Sequence, residues 1–120
     1  MLESMRRYKA GVFQALAHPT RVAIVEHLNQ GELSVGQLCE KVGIEQANAS
    51  QHLAVLRNKH IVQTRKAGNQ IFYSLRDPAF GKVIESLREF FLTLMSEALE
   101  LLRQEQAEAE KMTAGRGAKP

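Results

Sequence analysis

The sequence predicts a mainly α-helical chain that carries one small β-hairpin. Apolar side chains recur every three or four residues along most of its length, as they do on amphipathic helices. Residues 61–75 are instead rich in β-branched and aromatic side chains that alternate around a Gly-Asn pair. About five helices and a two-stranded hairpin account for residues 1–110. Residues 111–120, which contain glycine and basic side chains, are expected to form a disordered tail.

Apolar spacing and one proline predict the first two helices. The first helix, over residues 5–16, carries apolar residues at helical spacing, namely Met5, Tyr8, Val12 and Leu16. Pro19 suits the first turn of the second helix, because the N–H that proline lacks has no partner there. The inward stripe of the second helix is expected to be Val22, Val25 and Leu28, with Ile24 as a further apolar contact. Gly31 follows the end of this helix.

A short third helix and a fourth helix follow, and a tight turn joins them. Ser34 is a residue type that caps helix N-termini, and Gln37 three residues later completes a capping box. Gly43 tolerates the left-handed conformation common just past a helix. The fourth helix has a narrow inward stripe of Ala49, Leu53 and Leu56. This arrangement predicts a helix-turn-helix.

The other side of the fourth helix is composed of short, uncharged side chains, where a solvated helix usually carries Glu and Lys. Gln and Asn bond adenine edges through two atoms, Ser donates or accepts, and Ala47 lets the backbone approach closely. We therefore expect this helix to enter the major groove of DNA, the alternative being an ordinary packed helix. The predicted DNA contacts on it are Gln46, Asn48, Ser50, Gln51, His52 and, at the far end, Arg57.

The fourth helix is thus the predicted recognition helix. The hairpin that follows it occupies the place of a wing, so the fold class is a winged helix-turn-helix. Its strands are predicted at residues 61–65 and 70–75, with the turn at residues 66–69. The tip offers side chains that bond phosphates or enter a narrow minor groove, namely Arg65, Lys66 and Asn69. The alternative is that these residues only keep the hairpin hydrated.

Asp77 and Pro78 begin the last helix, whose apolar residues repeat in alternating steps of four and three. A second apolar stripe lies beside this seam. On a helix of about 25 residues, two stripes exceed what one small domain buries, so we expect the same helix of a second copy to cover the excess. The predicted dimer contacts are Tyr8 of the first helix and Ile84, Leu87, Phe91, Leu94 and Ala98 of the last.

Charge and composition narrow the classes of function. Residues 1–76 hold ten Lys or Arg and five Asp or Glu, whereas residues 77–120 hold six and eight, so the basic excess accompanies the predicted DNA-facing elements. The single cysteine excludes an intrachain disulfide. The sequence shows neither a membrane span nor a signal peptide, which predicts a cytoplasmic protein. No nucleophile elbow or phosphate loop appears, so neither an enzyme nor a cofactor is expected.

Four segments in this order resemble the ArsR/SmtB family of bacterial winged-helix repressors: residues 13–21, 31–38, 49–56 and 70–75. The resemblance extends from about residue 12 to residue 91. It implies a homodimer held by the first and last helices, which binds a partly palindromic double-stranded operator and is released by an inducer. It also places Gln46, Ser50, Gln51 and His52 on base-reading positions and the hairpin on the wing.

The chain departs from the family at its metal sites. Arsenic-sensing members carry Cys-x-Cys and a further Cys in the third helix, but here the first two positions are Ser34 and Gly36, and only Cys39 remains. One thiolate does not build a trigonal site for a soft metal. Zinc-sensing members use Asp and His on the last helix, and this chain has no His after His60. No metal is therefore expected, and the inducer is unknown.

Cys39 has two main interpretations, besides that of a weak contact to a metal. It borders the inward stripe of the third helix, where a free cysteine behaves as a small hydrophobe. Alternatively it is a thiol sensor that forms a sulfenic acid or a bond to another chain and so displaces the recognition helix.

The predicted function is a dimeric, sequence-specific repressor. The alternatives are a winged-helix module for protein contact, or an anti-silencing regulator without a small-molecule inducer.

Overall fold

The structure, a computed structural model, describes residues 1–117. Within that range, five helices and three strands follow one another along the chain. They are α1 (Leu2–Leu16), α2 (Pro19–Leu28), β1 (Leu33–Ser34), α3 (Val35–Val42), α4 (Gln46–Asn58), β2 (Val62–Ala67), β3 (Gln70–Leu75) and α5 (Pro78–Gly117). The predicted class, mainly helical with a small β-sheet, is confirmed. The chain forms two compact units, a winged-helix unit that ends at Ile84 and the remainder of α5.

The core of the winged-helix unit lies where the inward stripes of α2, α3 and α4 meet. The predicted stripe of α4 is confirmed, since Ala49, Leu53 and Leu56 are completely buried. On α2 the buried residues are Ile24, Val25 and Leu28, whereas Val22 is 36% exposed. Each residue advances about 100° around a helix, which turns Val22 away from the arc that contains Ile24 and Leu28. Ile24 therefore replaces Val22 in the predicted stripe.

The caps around α3 and α2 follow the prediction. Ser34 Oγ accepts a hydrogen bond from the Gln37 N–H at 3.2 Å, and the Gln37 side chain accepts one from the Ser34 N–H at 2.9 Å. Gly43 ends α3 in the left-handed conformation, with φ of 77°. At the start of α2, His18 Nδ1 accepts from the Thr20 N–H at 3.1 Å, and Pro19 occupies the first helical position. These local bonds set where the helices of the helix-turn-helix begin and end.

The hairpin belongs to a sheet of three strands rather than two. Strands β2 and β3 pair antiparallel from Val62 opposite Leu75 to Ala67 opposite Gln70, which leaves a two-residue loop in which only Gly68 has a positive φ. A positive φ at the first loop position is what a type II′ turn requires. On the other edge of β3, Leu33 and Ser34 add the short strand β1. A two-residue strand has no periodicity of its own, so the sequence pattern did not reveal it.

Helix α5 is 40 residues long, and it continues through Gly117. Residues 111–117, expected to be disordered, are therefore helical in the structure, and residues 118–120 lie outside the described residues. The segment from Arg103 to Lys111 consists of strong helix formers, which favour this continuation although they bury nothing. Beyond it, the Thr113 hydroxyl donates to the Ala109 carbonyl at 2.9 Å, a local bond compatible with a helix.

Candidate nucleic-acid interface

The exposed face of α4 begins with the first residue of the helix. Gln46, Asn48, Ser50 and Gln51 are all exposed, and Ala49 and Leu53 beneath them are buried. The buried stripe holds α4 against α2 and α3, so the polar face has a defined orientation on the unit. The structure thus offers uncharged donors and acceptors on a rigid helix, as reading of base edges requires.

The exposed face extends further along α4 than the residues that the sequence analysis predicted as DNA contacts. Ala54 and Asn58 are exposed and follow Ala47 and Ser50 at steps of three and four residues, so the four side chains form one line along the helix. Their helical spacing was already visible in the sequence. Small residues at positions 47 and 54 leave room for close approach of a groove wall, and Asn58 adds an amide near the end of the helix.

His52 does not belong to this exposed face. Its ring is half-buried and lies 4.4 Å from the ring of His18, centroid to centroid, and Arg21 Nη1 is 3.2 Å from His52 Nδ1. Arg21 also donates through Nε to the Ala15 carbonyl. Burial lowers the pKa of His52 below its ordinary value, and the nearby His18 and Arg21 lower it further. His52 therefore connects α4 to the start of α2, and its role as a DNA contact stays a prediction.

The far end of α4 contacts α1. Arg57 is exposed, as a phosphate contact would have to be. Just beyond the helix, the Lys59 carbonyl accepts a hydrogen bond of 2.7 Å from the hydroxyl of Tyr8. Tyr8, predicted as a dimer contact, thus makes a bond within its own chain, and 46% of the residue remains exposed. This bond joins the first helix to the end of the recognition helix.

At the wing, Lys66 near the end of β2 and Asn69 in the loop are exposed, but Arg65 has a partner within the chain. Arg65 makes a bidentate ion pair with Glu32, with its Nε 2.8 Å from Oε2 and its Nη2 2.7 Å from Oε1. Its guanidinium carbon also lies 4.7 Å from the centre of the Phe72 ring. Arg65 as a DNA contact therefore stays a prediction, and the structure adds that its guanidinium is paired with Glu32. The sequence did not show that Glu32, 33 residues away, reaches it.

The wing tip and the recognition helix meet around one shallow cavity of about 250 Å³. It is lined by residues from the start of α3, the first residue of α4 and the tip of the hairpin: Ser34, Val35, Gly36, Gln46, Asn69, Gln70 and Ile71. Two residues predicted separately as DNA contacts, Gln46 and Asn69, thus border the same space. The fold brings the helix face and the wing to one side of the winged-helix unit.

The predicted dimer residues on α5 separate into two groups. Leu87, Phe91 and Leu94 are 41%, 56% and 51% exposed, and Ala98 is exposed as well. Ile84 is only 8% exposed, because it belongs to the core of its own winged-helix unit. Its assignment as a dimer contact is therefore corrected. The apolar pattern with alternating steps of four and three continues from core residues into exposed ones, and periodicity alone does not show where that change occurs.

Cys39 is half-buried and packs against the core, a position that suits a small hydrophobic side chain. In the described part of the chain, no group of three or more His, Cys, Asp or Glu side chains is placed to hold a metal ion. None of the described helices is both long and apolar enough to cross a membrane.

Comparison with known proteins agrees with this geometry. The sequence pattern described as bacterial regulatory protein, arsR family, matches residues 18–64, which contain α2, α3 and α4. Rv0081 of Mycobacterium tuberculosis, an uncharacterised HTH-type transcriptional regulator, is 36% identical over 101 residues, or 83% of this chain and 89% of that protein. The biofilm growth-associated repressor of Xylella fastidiosa is 37% identical over 97 residues, or 81% and 85%.

Solved structures show the same fold. The crystal structure of Rv0081 superposes with a TM-score of 0.73 at 35% identity, over 79% of this chain and 96% of that one. The solution structure of Mb0332 from Mycobacterium bovis, described as a homodimeric winged helix-turn-helix DNA-binding domain of a possible ArsR-family regulator, gives a TM-score of 0.70. The latter shares 24% identity over 82% of this chain and 87% of that one, so it supports the fold alone.

Proposed function

Since this chain belongs to the ArsR family of bacterial regulatory proteins, we propose that it is a dimeric repressor that reads operator DNA through α4 and the wing. The observation that carries the proposal is the uncharged exposed face of α4, which the wing tip joins around one cavity. The face offers hydrogen bonds to bases, and Arg57 and Lys66 beside it supply charge for phosphates. A DNA-binding regulator of this kind is no enzyme.

The proposed operator is double-stranded and partly palindromic, because two copies related by a two-fold axis present two recognition helices. The dimer is supported by the unusually apolar stretch of α5 after Ile84, where Phe90, Phe91 and Met95 are each more than half exposed. Mb0332, which shares this fold, is described as homodimeric. A repressor that acts on bacterial DNA works in the cytoplasm, which is the proposed location.

The identity of the inducer and the role of the Cys39 thiol are questions for experiment. The half-buried position of Cys39 at the helix-turn-helix supports a test of oxidation as a release signal, because a polar sulfenic acid there would disturb the packing of α3. The competing functions are a winged-helix module that binds protein and an anti-silencing regulator without an inducer. Either would have to explain why the α4 face lacks charge.

The test is fluorescence anisotropy with the duplex upstream of the protein's own gene, at several salt concentrations. We expect tight binding that weakens with salt and a preference over random duplex. Gln51→Ala should weaken operator binding by about 1–3 kcal/mol, or roughly five- to 150-fold, with a smaller effect on random duplex. The matched control is Gln104→Ala, a change of the same kind on the exposed surface of α5.

Equal binding of the parent to operator and random duplex, together with an inert Gln51→Ala, would contradict sequence-specific repression and favour the protein-contact module. A second arm adds peroxide to the parent and to Cys39→Ser. Loss of binding only when Cys39 is present would establish a thiol switch. Binding that resists oxidation in both proteins would keep the repressor and exclude Cys39 as its sensor.

A further inference from the structure

The contact between Arg65 and Glu32 joins two parts of the winged-helix unit that are far apart in sequence. Arg65 lies in β2, whereas Glu32 immediately precedes β1. Strand β3 runs between them, since the strand order of the sheet is β1, β3, β2. The side chain of Arg65 therefore crosses the middle strand to reach its partner. The pair ties the two outer strands of the sheet together.

The route across the sheet is specific. Arg65 is the direct cross-strand neighbour of Phe72, and its guanidinium lies over that ring on its way to Glu32. Phe72 is paired on its other side with Ser34, the N-cap of α3. A bidentate carboxylate at one end and an aromatic face beneath hold the guanidinium in one orientation. Hydrogen bonding to Arg65 also lowers the pKa of Glu32 below its ordinary value, because the bond favours the ionised carboxylate.

The ion pair with Glu32 affects which cation of the wing is suited to meet a phosphate. A guanidinium that donates Nε–H and one Nη2–H to a carboxylate keeps three N–H groups, but its charge is already balanced by that carboxylate, so it gains less from a phosphate than an unpaired cation does. The residue next to it, Lys66, is exposed and makes no ion pair among those found in residues 1–117. The two neighbouring cations of β2 are thus in different situations, although the sequence alone presents them as equivalent.

We propose that Glu32 and Arg65 are positioning residues for DNA binding: their contact across Phe72 fixes the wing relative to the start of α3, while Lys66 meets the phosphate. The proposal rests on the proposed function and adds a division of labour within the wing. Because β1 leads directly into α3, a wing tied to Glu32 is tied to the helix-turn-helix itself. Glu32 acts through Arg65 and has no contact with DNA of its own.

The first test compares four variants with the parent by operator affinity and by its dependence on salt. Lys66→Gln should make the slope of log affinity against log salt less steep by about 0.9, the value for one lost phosphate contact. Arg65→Gln, Glu32→Gln and the charge-neutral double variant should each weaken binding by roughly three- to tenfold, with the parent slope. The double variant should be no worse than either single variant, because all three remove one contact.

The opposite pattern would overturn the inference. If Arg65 itself meets a phosphate, Arg65→Gln will reduce the slope as Lys66→Gln does, and Glu32→Gln will tighten binding by freeing the guanidinium. The exchanged pair Glu32→Arg with Arg65→Glu decides the same question by rescue. It should recover most of the lost affinity if the contact matters, and it should lower affinity further if residue 65 touches the phosphate backbone.

A readout without DNA completes the test. Amide hydrogen exchange of residues 62–75 should become faster in Glu32→Gln and Arg65→Gln, remain at the parent rate in Lys66→Gln and be restored in the exchanged pair. Unchanged exchange in both single variants would overturn the positioning role even if affinity falls. Failure of the parent to prefer its operator would instead overturn the proposed function, so the two failures are distinguishable.

Discussion

At the scale of single residues, His52 makes contacts within the chain that its position in the sequence does not reveal. On the sequence it follows four candidate DNA contacts on the same helix, but its ring packs on His18 and accepts from Arg21. To accept this bond, Nδ1 must carry no proton. Protonation of the ring therefore breaks the bond and places a second cation next to Arg21. The neutral ring is the form that the folded protein prefers, as the lowered pKa indicates.

This preference predicts a pH dependence of stability. Because the pKa of His52 is lower in the folded chain than in the unfolded one, the unfolded state binds more protons between the two values, and stability rises with pH in that window. The contribution is complete above the ordinary value of 6.5 and is lost as the pH falls through the lower folded value. Thermal unfolding of the parent between about pH 7 and pH 5 should show this decline.

The His52→Gln variant separates this effect from others, because an amide oxygen still accepts from Arg21 but does not titrate. Its melting temperature should fall less than that of the parent over the same pH range. His27→Gln removes a histidine of α2, away from His52 in α4, and serves as the control. An equal decline in the parent and in His52→Gln would show that His52 contributes nothing to the pH dependence.

At the scale of elements, the boundaries of α3 depend on local bonds that the sequence already indicates. The reciprocal bonds between Ser34 and Gln37 satisfy two groups at the helix start, and Gly43 closes the end. These bonds matter for function because the same Ser34 lies in β1 and borders the cavity between α4 and the wing. The cap thus joins the sheet to the helix-turn-helix.

Ser34→Ala should lower the free energy of unfolding by about 1 kcal/mol, the usual value for a lost N-cap. Chemical denaturation followed by circular dichroism measures the change. Ser96→Ala, on the exposed surface of α5, provides the matched control and should change stability by less than about 0.5 kcal/mol. Equal stability of the two variants would contradict an energetic role of the capping box.

At the scale of the whole molecule, the stretch of α5 after Ile84 exposes a large apolar surface. From Leu87 to Leu102, nine large apolar side chains are each more than 40% exposed: Leu87, Phe90, Phe91, Leu92, Leu94, Met95, Leu99, Leu101 and Leu102. A monomer with such a surface would tend to associate. The proposed dimer covers this surface, and dimerisation in turn places two recognition helices on one duplex.

The double variant Leu87→Glu with Leu94→Glu should weaken self-association by roughly 100-fold or more, because it would bury two charges in the interface. Sedimentation velocity at several concentrations measures the effect. Ser86→Glu with Thr93→Glu is the control, since it adds the same charges at the same spacing on the polar side of α5. A variant at positions 87 and 94 that dimerises as well as the control would refute α5 as the dimer surface.

Several features of this protein were determined by the sequence alone. They include the class of fold, the buried stripe of α4, the capping box of α3, the turn at Gly43 and the uncharged helix face. The class of fold follows from the order of the elements, and each of the other features depends on residues within one or two helical turns of one another. Spacing along the chain is then sufficient, because the backbone geometry of a helix converts it directly into position in space.

The tertiary structure decided the rest. It paired Arg65 with Glu32, turned His52 onto Arg21, added β1 to the sheet and placed Ile84 in the core. The two contacts that engage predicted DNA-binding residues join residues 33 and 31 positions apart. Their partners are brought together by the packing of α2 against α4 and by the pairing of β1 and β2 with β3. Local pattern shows which side chains an element exposes, but only the packed chain shows which of them are already engaged.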